Sequence, residues 1–162
     1  RRGLSVDAAS VSLRRALQEL RDAGVSLDTT LAPTDSELAD AAKAAAPKTR
    51  GAELFARGDM ENAADKYRAA LAWDATDDRI WANRAACFSR RGRFDEALRD
   101  AEYAIRLKPR WARARYRLAE ARLGQGRVGD AREACDAGLL LDCDEKLRGD
   151  LSALMERCTV VE

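Results

Sequence analysis

The sequence predicts an all-α fold, a curved stack of helix-turn-helix units, on three observations. The first is a period of 34 residues that puts Gly58, Gly92 and Gly126 in one column and Ala63, Ala97 and Ala131 in another. Three more columns keep the same phase: Met60, Phe94 and Val128; Leu71, Ile105 and Leu139; Trp73, Leu107 and Leu141. A unit of this length cannot bury its apolar face alone and must stack on copies of itself. The second is composition, since 46% hydrophobic and 35% charged residues with only three prolines suit helices that have one apolar and one solvated face. The third is length: 162 residues make one domain, able to bury about 70% of its unfolded surface without metal or disulfides.

In chain order, residues 5–23 read as a first helix outside the repeat. Ser5 or Asp7 caps it, Leu13, Ala16, Leu17 and Leu20 form its stripe, and Gly24 stops it. A looser stretch, 25–33, leads to Asp35, which caps a connecting helix over 36–46 with Glu37 and Asp40 near its electropositive start. Pro47 supplies no amide hydrogen and disfavours helix in the residue before it, so a new helix is expected to begin there. Helix pairs follow over 47–57 and 61–73, 78–90 and 94–107, and 111–124 and 128–141. The recurring glycine closes each pair because it can take the left-handed conformation that ends a helix. The alanine column sits where the paired helices cross most closely. Residues 144–158 carry Leu147, Leu151, Leu154 and Met155 on one stripe, as a terminal capping helix should. The expected organisation is 1–34 as N-terminal helix and linker, 35–46 as connecting helix, 47–143 as three units, and 144–162 as capping helix and tail.

Charge and chemistry narrow the function. Lys and Arg total 29 against 28 acids, a net charge of +1 that excludes a strongly basic nucleic-acid binder. The basic run Lys108, Arg110, Arg113, Arg115 and Arg117 is interleaved with Trp111 and Tyr116. Helical spacing points those side chains in different directions, and the aromatics are expected to pack between units, so no nucleic-acid partner is expected. The chain has no apolar run of about eighteen residues and no signal-peptide pattern. It therefore reads as cytoplasmic, with the nucleus as a second compartment, without a membrane partner, and as a monomer. Its start at Arg1 suggests a piece of something longer.

Cys87, Cys135, Cys143 and Cys158 form no C-x-x-C pair, and there is no histidine, so neither metal nor cofactor is expected. Cys87 and Cys135 fall at small apolar positions and read as reduced packing thiols, with a disulfide or redox role as the alternative. No phosphate-cradling glycine loop, H-E-x-x-H or G-x-S-x-G motif is present, and isolated carboxylates or thiols lack a catalytic partner, so an enzyme is not expected.

Trp81, Phe88, Ala97, Ala104 and Pro109 in the second unit, Gly51, Ala63, Tyr67 and Ala70 in the first, and Ala131 in the third resemble the tetratricopeptide repeat signature. The resemblance covers residues 46–158 and is weakest in the third unit, where Arg122 and Cys135 stand in place of larger aromatics. It implies a right-handed superhelix. A sharper resemblance is to the three-repeat carboxylate-clamp domains of heat-shock co-chaperones, which bind the C-terminal Glu-Glu-Val-Asp tail of the 70 kDa and 90 kDa chaperones. That resemblance implies a clamp of Lys48, Asn83, Arg113 and Arg117, with Ala52, Arg79 and Ala86 lining the groove. Two positions depart from the family. Ala52 replaces an asparagine, a loss of one hydrogen bond or roughly tenfold in affinity. Arg113 replaces the commoner lysine, which keeps charge and changes shape.

The physical logic is independent of the family. First helices of successive units line the concave face, so Asn83 and Arg117 stack side by side, while Arg113 and Arg117, four apart, share a helix face. A chain terminus carries at least one carboxylate, which needs charge-assisted donors at about 1.5 to 3 kcal/mol each. Ala86 is small enough to leave room for an apolar tail residue. Two alternatives stand beside this cradle. Lys48, Arg113 and Arg117 can be ordinary solvated basic residues of an Arg-rich chain. The module can instead serve a larger receptor, kinase or ligase, taking a partner helix or segment in its groove or on its N-terminal helix.

Overall fold

The recurring glycine columns become the corners of a helical array. The structure, a computed structural model, describes residues 35–160. The chain divides into two compact units, Arg1–Ser36 and Glu37–Glu162, and the helical array belongs to the second. The described residues form seven helices: α1 Asp35–Ala56, α2 Met60–Leu71, α3 Asp78–Arg90, α4 Phe94–Leu107, α5 Ala112–Gly124, α6 Val128–Leu139 and α7 Glu145–Val160. Successive helices pack on one another from α2 to α7, and the first helices α3 and α5 of the second and third units also touch. This is the all-α superhelical stack anticipated from the period. The helix expected over 5–23 and the linker after it lie outside the described residues.

Gly58, Gly92 and Gly126 have φ of 84°, 74° and 75°, the left-handed region that a side chain disfavours. Each turn closes with the same pair of backbone bonds. The glycine amide donates three residues back, to Phe55, Ser89 or Leu123, and the next amide donates five back, from Asp59 to Leu54, Arg93 to Phe88 and Arg127 to Arg122. These bonds satisfy carbonyls that a helix end leaves open. The next helix then starts differently in the first unit. Asp59 caps α2 by accepting the Asn62 amide at 3.2 Å, whereas Arg93 and Arg127 make no such bond and reach forward instead to Glu96 and Asp130.

The core is built from small residues. Ala63, Ala97 and Ala131 are fully buried, as the crossing-point argument requires. A second column, Gly51, Ala85 and Ala119, is also buried, as is the column Tyr67, Ala101 and Cys135. A Cβ on Gly51 would come within 2.8 Å of the Tyr67 ring. The one large aromatic of that column therefore lies beside the residue without a side chain. Trp81 stacks on Tyr103 with centroids 4.3 Å apart, and its ring N–H donates to the Ala75 carbonyl at 2.8 Å. Trp111 and Tyr116 pack on the core, Trp111 against the cluster of Ala82, Ala104 and Ala114. Both are partly buried.

The structure departs from the sequence at Pro47. Instead of beginning a helix there, Pro47 lies inside the continuous 22-residue α1. An interior proline costs about 3 kcal/mol through a missing bond and a clash with the preceding turn. Two features offset this. The preceding Ala-rich run is strongly helix-favouring, and Ala44, 3% exposed, is buried in the same cluster as Ala63 and Tyr67, so packing holds both sides of Pro47 in one helix.

At the other end, Asp144 accepts the Leu147 amide at 2.7 Å and starts α7. Leu147, Leu151 and Leu154 face inward, and Gly138 of α6 lies under Leu151, so the stripe closes the stack.

Candidate functional site

Each first helix delivers one part of the expected cradle. Lys48 lies on α1, Asn83 on α3, and Arg113 and Arg117 one turn apart on α5. Lys48 pairs through Nζ with Asp77 Oδ2 at the start of α3. Arg117, on the other side, lies close enough to Cys87 of α3 for its charge to favour the thiolate. Cys87 is one turn beyond Asn83, whereas Asp77 caps the N-terminal end of α3, so the two cations are related to different ends of that helix. Arg117 Nη1 also donates to Glu120 Oε2 at 2.6 Å, and its guanidinium lies 5.2 Å from the Tyr116 ring centre. Arg113 is half-buried, with no hydrogen bond or ion pair among the described residues.

The three residues read as groove-lining differ from one another. Ala52 and Arg79 are exposed. Ala86 is 2% exposed, so it offers spacing between helices more than surface for a ligand. A cleft of about 240 Å³ runs elsewhere, lined by Glu61, Asp65, Arg68, Arg84, Arg91 and Glu96 among others, and includes none of the four. Among the described residues no cluster of three His, Cys, Asp or Glu side chains could hold a metal ion, and no helix is long and apolar enough to cross a membrane.

Three side chains escaped the repeat pattern, two of them beside the cradle. Asp77 works twice, accepting the Arg79 amide through Oδ1 at 2.9 Å to cap α3 while Oδ2 holds Lys48. Glu120 occupies Arg117, and its i,i+3 spacing from that arginine is the sequence signal that could have found it. Arg84 is the third. Its Nε and Nη2 donate to the two oxygens of Asp100 at 2.7 and 2.8 Å, and it lies over Trp81 at 5.0 Å and Phe88 at 5.7 Å.

Burial sets the titration of the groups around α3. Burial pushes the Tyr67 hydroxyl up to about 12 against a lowering hydrogen bond from Asn83. The Cys87 and Cys135 thiols are pushed up to about 11 and about 12, again chiefly by burial. Among the described residues no cysteine is in a disulfide. In each case the folded chain keeps a proton that the unfolded chain releases, from about pH 8.5 for thiols and about pH 10 for tyrosine. Their stabilising contribution is complete below those values and is lost as pH rises toward the folded values, at roughly 1 kcal/mol per pH unit for each group. Urea midpoints should therefore fall steadily between about pH 9 and about pH 11. A midpoint that stays level over that span would contradict this assignment.

The 34-residue geometry, with its left-handed glycine corners and buried alanine crossings, has a counterpart among known sequences. The tetratricopeptide repeat profile matches residues 54–99 and 90–154. The chain belongs to the tetratricopeptide repeat family. Its tetratricopeptide units are 36% identical over 106 residues to the Hsp70-Hsp90 organizing protein of Triticum aestivum, a match covering 65% of this chain and 18% of that protein. They are 32% identical over 126 residues to the small glutamine-rich tetratricopeptide repeat-containing protein 2 of Mycosarcoma maydis, covering 77% and 35%. The chain thus spans well under half the length of either relative. In three dimensions the array is similar to the TPR2B domain of yeast Sti1, solved as a pHsp70 complex, with a TM-score of 0.69 and 27% identity over 74% of this chain and 98% of that one.

Proposed function

We propose that this chain is a non-catalytic recruitment module of the co-chaperone type. In this reading Lys48, Asn83, Arg113 and Arg117 grip the acidic C-terminal tail of a 70 kDa or 90 kDa heat-shock chaperone in the cytoplasm. The observation that supports the reading is the placement of basic or amide donors on three successive first helices, Lys48 on α1, Asn83 on α3, and Arg113 and Arg117 on α5. The similarity to a tetratricopeptide domain solved as a pHsp70 complex, and to an Hsp70-Hsp90 organizing protein, supports the choice of partner. Chemistry supports it as well. A terminal carboxylate is small, doubly accepting and permanently charged near neutrality, and half-buried arginines bind such groups more tightly than exposed ones because solvent screens them less.

The test is calorimetric titration with a peptide ending in Glu-Glu-Val-Asp, prepared with a free and with an amidated C-terminus. Amidation removes one charge and is expected to weaken binding at least tenfold, the value of one charge-assisted bond. Equal affinity for the two peptides would overturn the proposal and leave a groove that reads internal sequence.

A further inference from the structure

Two of the three cations of the proposed clamp are not vacant. Arg117 Nη1 donates to Glu120 Oε2 at 2.6 Å, with the two side chains only 17% and 24% exposed. Tyr116 links the pair, since its hydroxyl meets the other Glu120 oxygen at 3.3 Å while its ring underlies the guanidinium. Arg117 Nε is buried without a hydrogen-bond partner, so Glu120 takes one corner of the fork and leaves a donor unused. Lys48 is likewise held by Asp77. Arg113 alone of the three cations has no acid against it among the described residues.

We propose that Glu120 and Asp77 are internal stand-ins for the incoming carboxylates, so that the empty clamp is self-occupied and these two acids set its affinity. The inference rests on the clamp reading and deepens it. A tail carboxylate can use Arg117 fully only by sharing or displacing Glu120, which is three residues away on the same helix and so stays close even when displaced. Whatever it does, it remains a partly desolvated negative charge beside an acidic ligand, where screening is weak. Arg113 is then the open cation that receives the tail first, and Arg117 is contested. At Asp77 the conflict is milder, because Lys48 is more exposed at 34% and solvent screens the pair.

Two isosteric variants isolate the charge. Glu120→Gln keeps the shape and can still accept from Tyr116. Asp77→Asn keeps the cap of α3, since asparagine serves that position as well as aspartate. Wild type, both single variants, Arg117→Ala and Arg117→Ala/Glu120→Gln are titrated with the free-carboxylate Glu-Glu-Val-Asp peptide at one ionic strength, with helical content and melting checked in parallel. Glu120→Gln is expected to tighten binding about tenfold, equivalent to about 1.4 kcal/mol. Asp77→Asn should tighten it roughly threefold, and the Glu120→Gln gain should vanish when Arg117 is absent. Binding by Glu120→Gln where wild type is silent carries the same conclusion. Unchanged or weaker binding by Glu120→Gln, or a gain that survives loss of Arg117, overturns the inference. If wild type discriminates free from amidated peptide yet neither acid substitution moves its affinity, this inference alone fails. If every folded variant is silent toward the free peptide, the clamp reading fails and takes this inference with it.

Discussion

Arg84→Ala is expected to destabilise the array by about 3 to 5 kcal/mol, the usual cost of removing one partner from a buried ion pair. Asp100 is 4% exposed and receives both of its strong donors from Arg84. Without them the carboxylate stays in a low-dielectric gap between α3 and α4, and Trp81 and Phe88 lose the guanidinium that covers them. For a chain of this size the melting point should drop by roughly 10 °C. The loss should depend on pH. Burial pushes the Asp100 carboxyl up and Arg84 opposes that push. The folded chain therefore holds the Asp100 proton to higher pH than the unfolded chain does, so this group favours the fold in acid and loses that benefit as pH rises through its raised value. Deleting Arg84 removes the opposing pull. The gap between variant and wild type should then narrow as pH falls through the raised value and grow toward neutral pH. Urea unfolding of both proteins near pH 4 and near pH 7 checks this, and a neutral-pH difference below about 1 kcal/mol would refute it. The paired change Arg84→Met with Asp100→Leu should cost much less than Arg84→Ala, because it buries no orphaned charge.

Arg117→Ala is expected to weaken binding of the free-carboxylate tail at least thirtyfold, or about 2 kcal/mol and upward. The effect is large because Arg117 is the more buried of the two clamp cations held in ion pairs, at 17% exposure against 34% for Lys48. Its contribution is made where water screens least. Two further variants separate this from a general effect of basic charge. Arg117→Lys keeps the charge and loses the planar fork, so it should fall between wild type and alanine. Arg110→Ala removes an exposed arginine from the turn before α5 and should change affinity little. If Arg117→Ala and Arg110→Ala weaken binding equally, Arg117 is an ordinary surface cation and the cradle is not there.

The two residues that dominate these predictions were unequally legible. Arg113 and Arg117 share a helix face by spacing alone, and their position on a first helix follows from the glycine columns that mark each hairpin. Arg84 and Asp100 carried no such signal. One repeat earlier their columns hold Arg50 and Lys66, and one repeat later Leu118 and Ala134, so the pair belongs to the second unit only. Periodicity reveals what the units share. It is blind to a contact made once, across sixteen residues and between two helices. Glu120 lay within reach of a spacing rule, whereas Asp77 did not, because its link to Lys48 joins residues 29 apart and depends on how α1 packs beside the start of α3.

Pro47 shows the opposite failure, in which a sound local rule is overridden. Proline chemistry favours a helix start, and α1 nevertheless runs through it because Ala44 and Gly51, on either side, are both anchored beside Tyr67. Burial on each side of a break can outweigh the break. By itself, then, the sequence determined what repeats: the helical hairpin, its left-handed corner and the alanine crossing. Those follow from backbone sterics and a period that every unit obeys. The tertiary structure alone decided which charge meets which. Ion pairing depends on distance and on exclusion of water, and both are set by how helices from different units come to lie together.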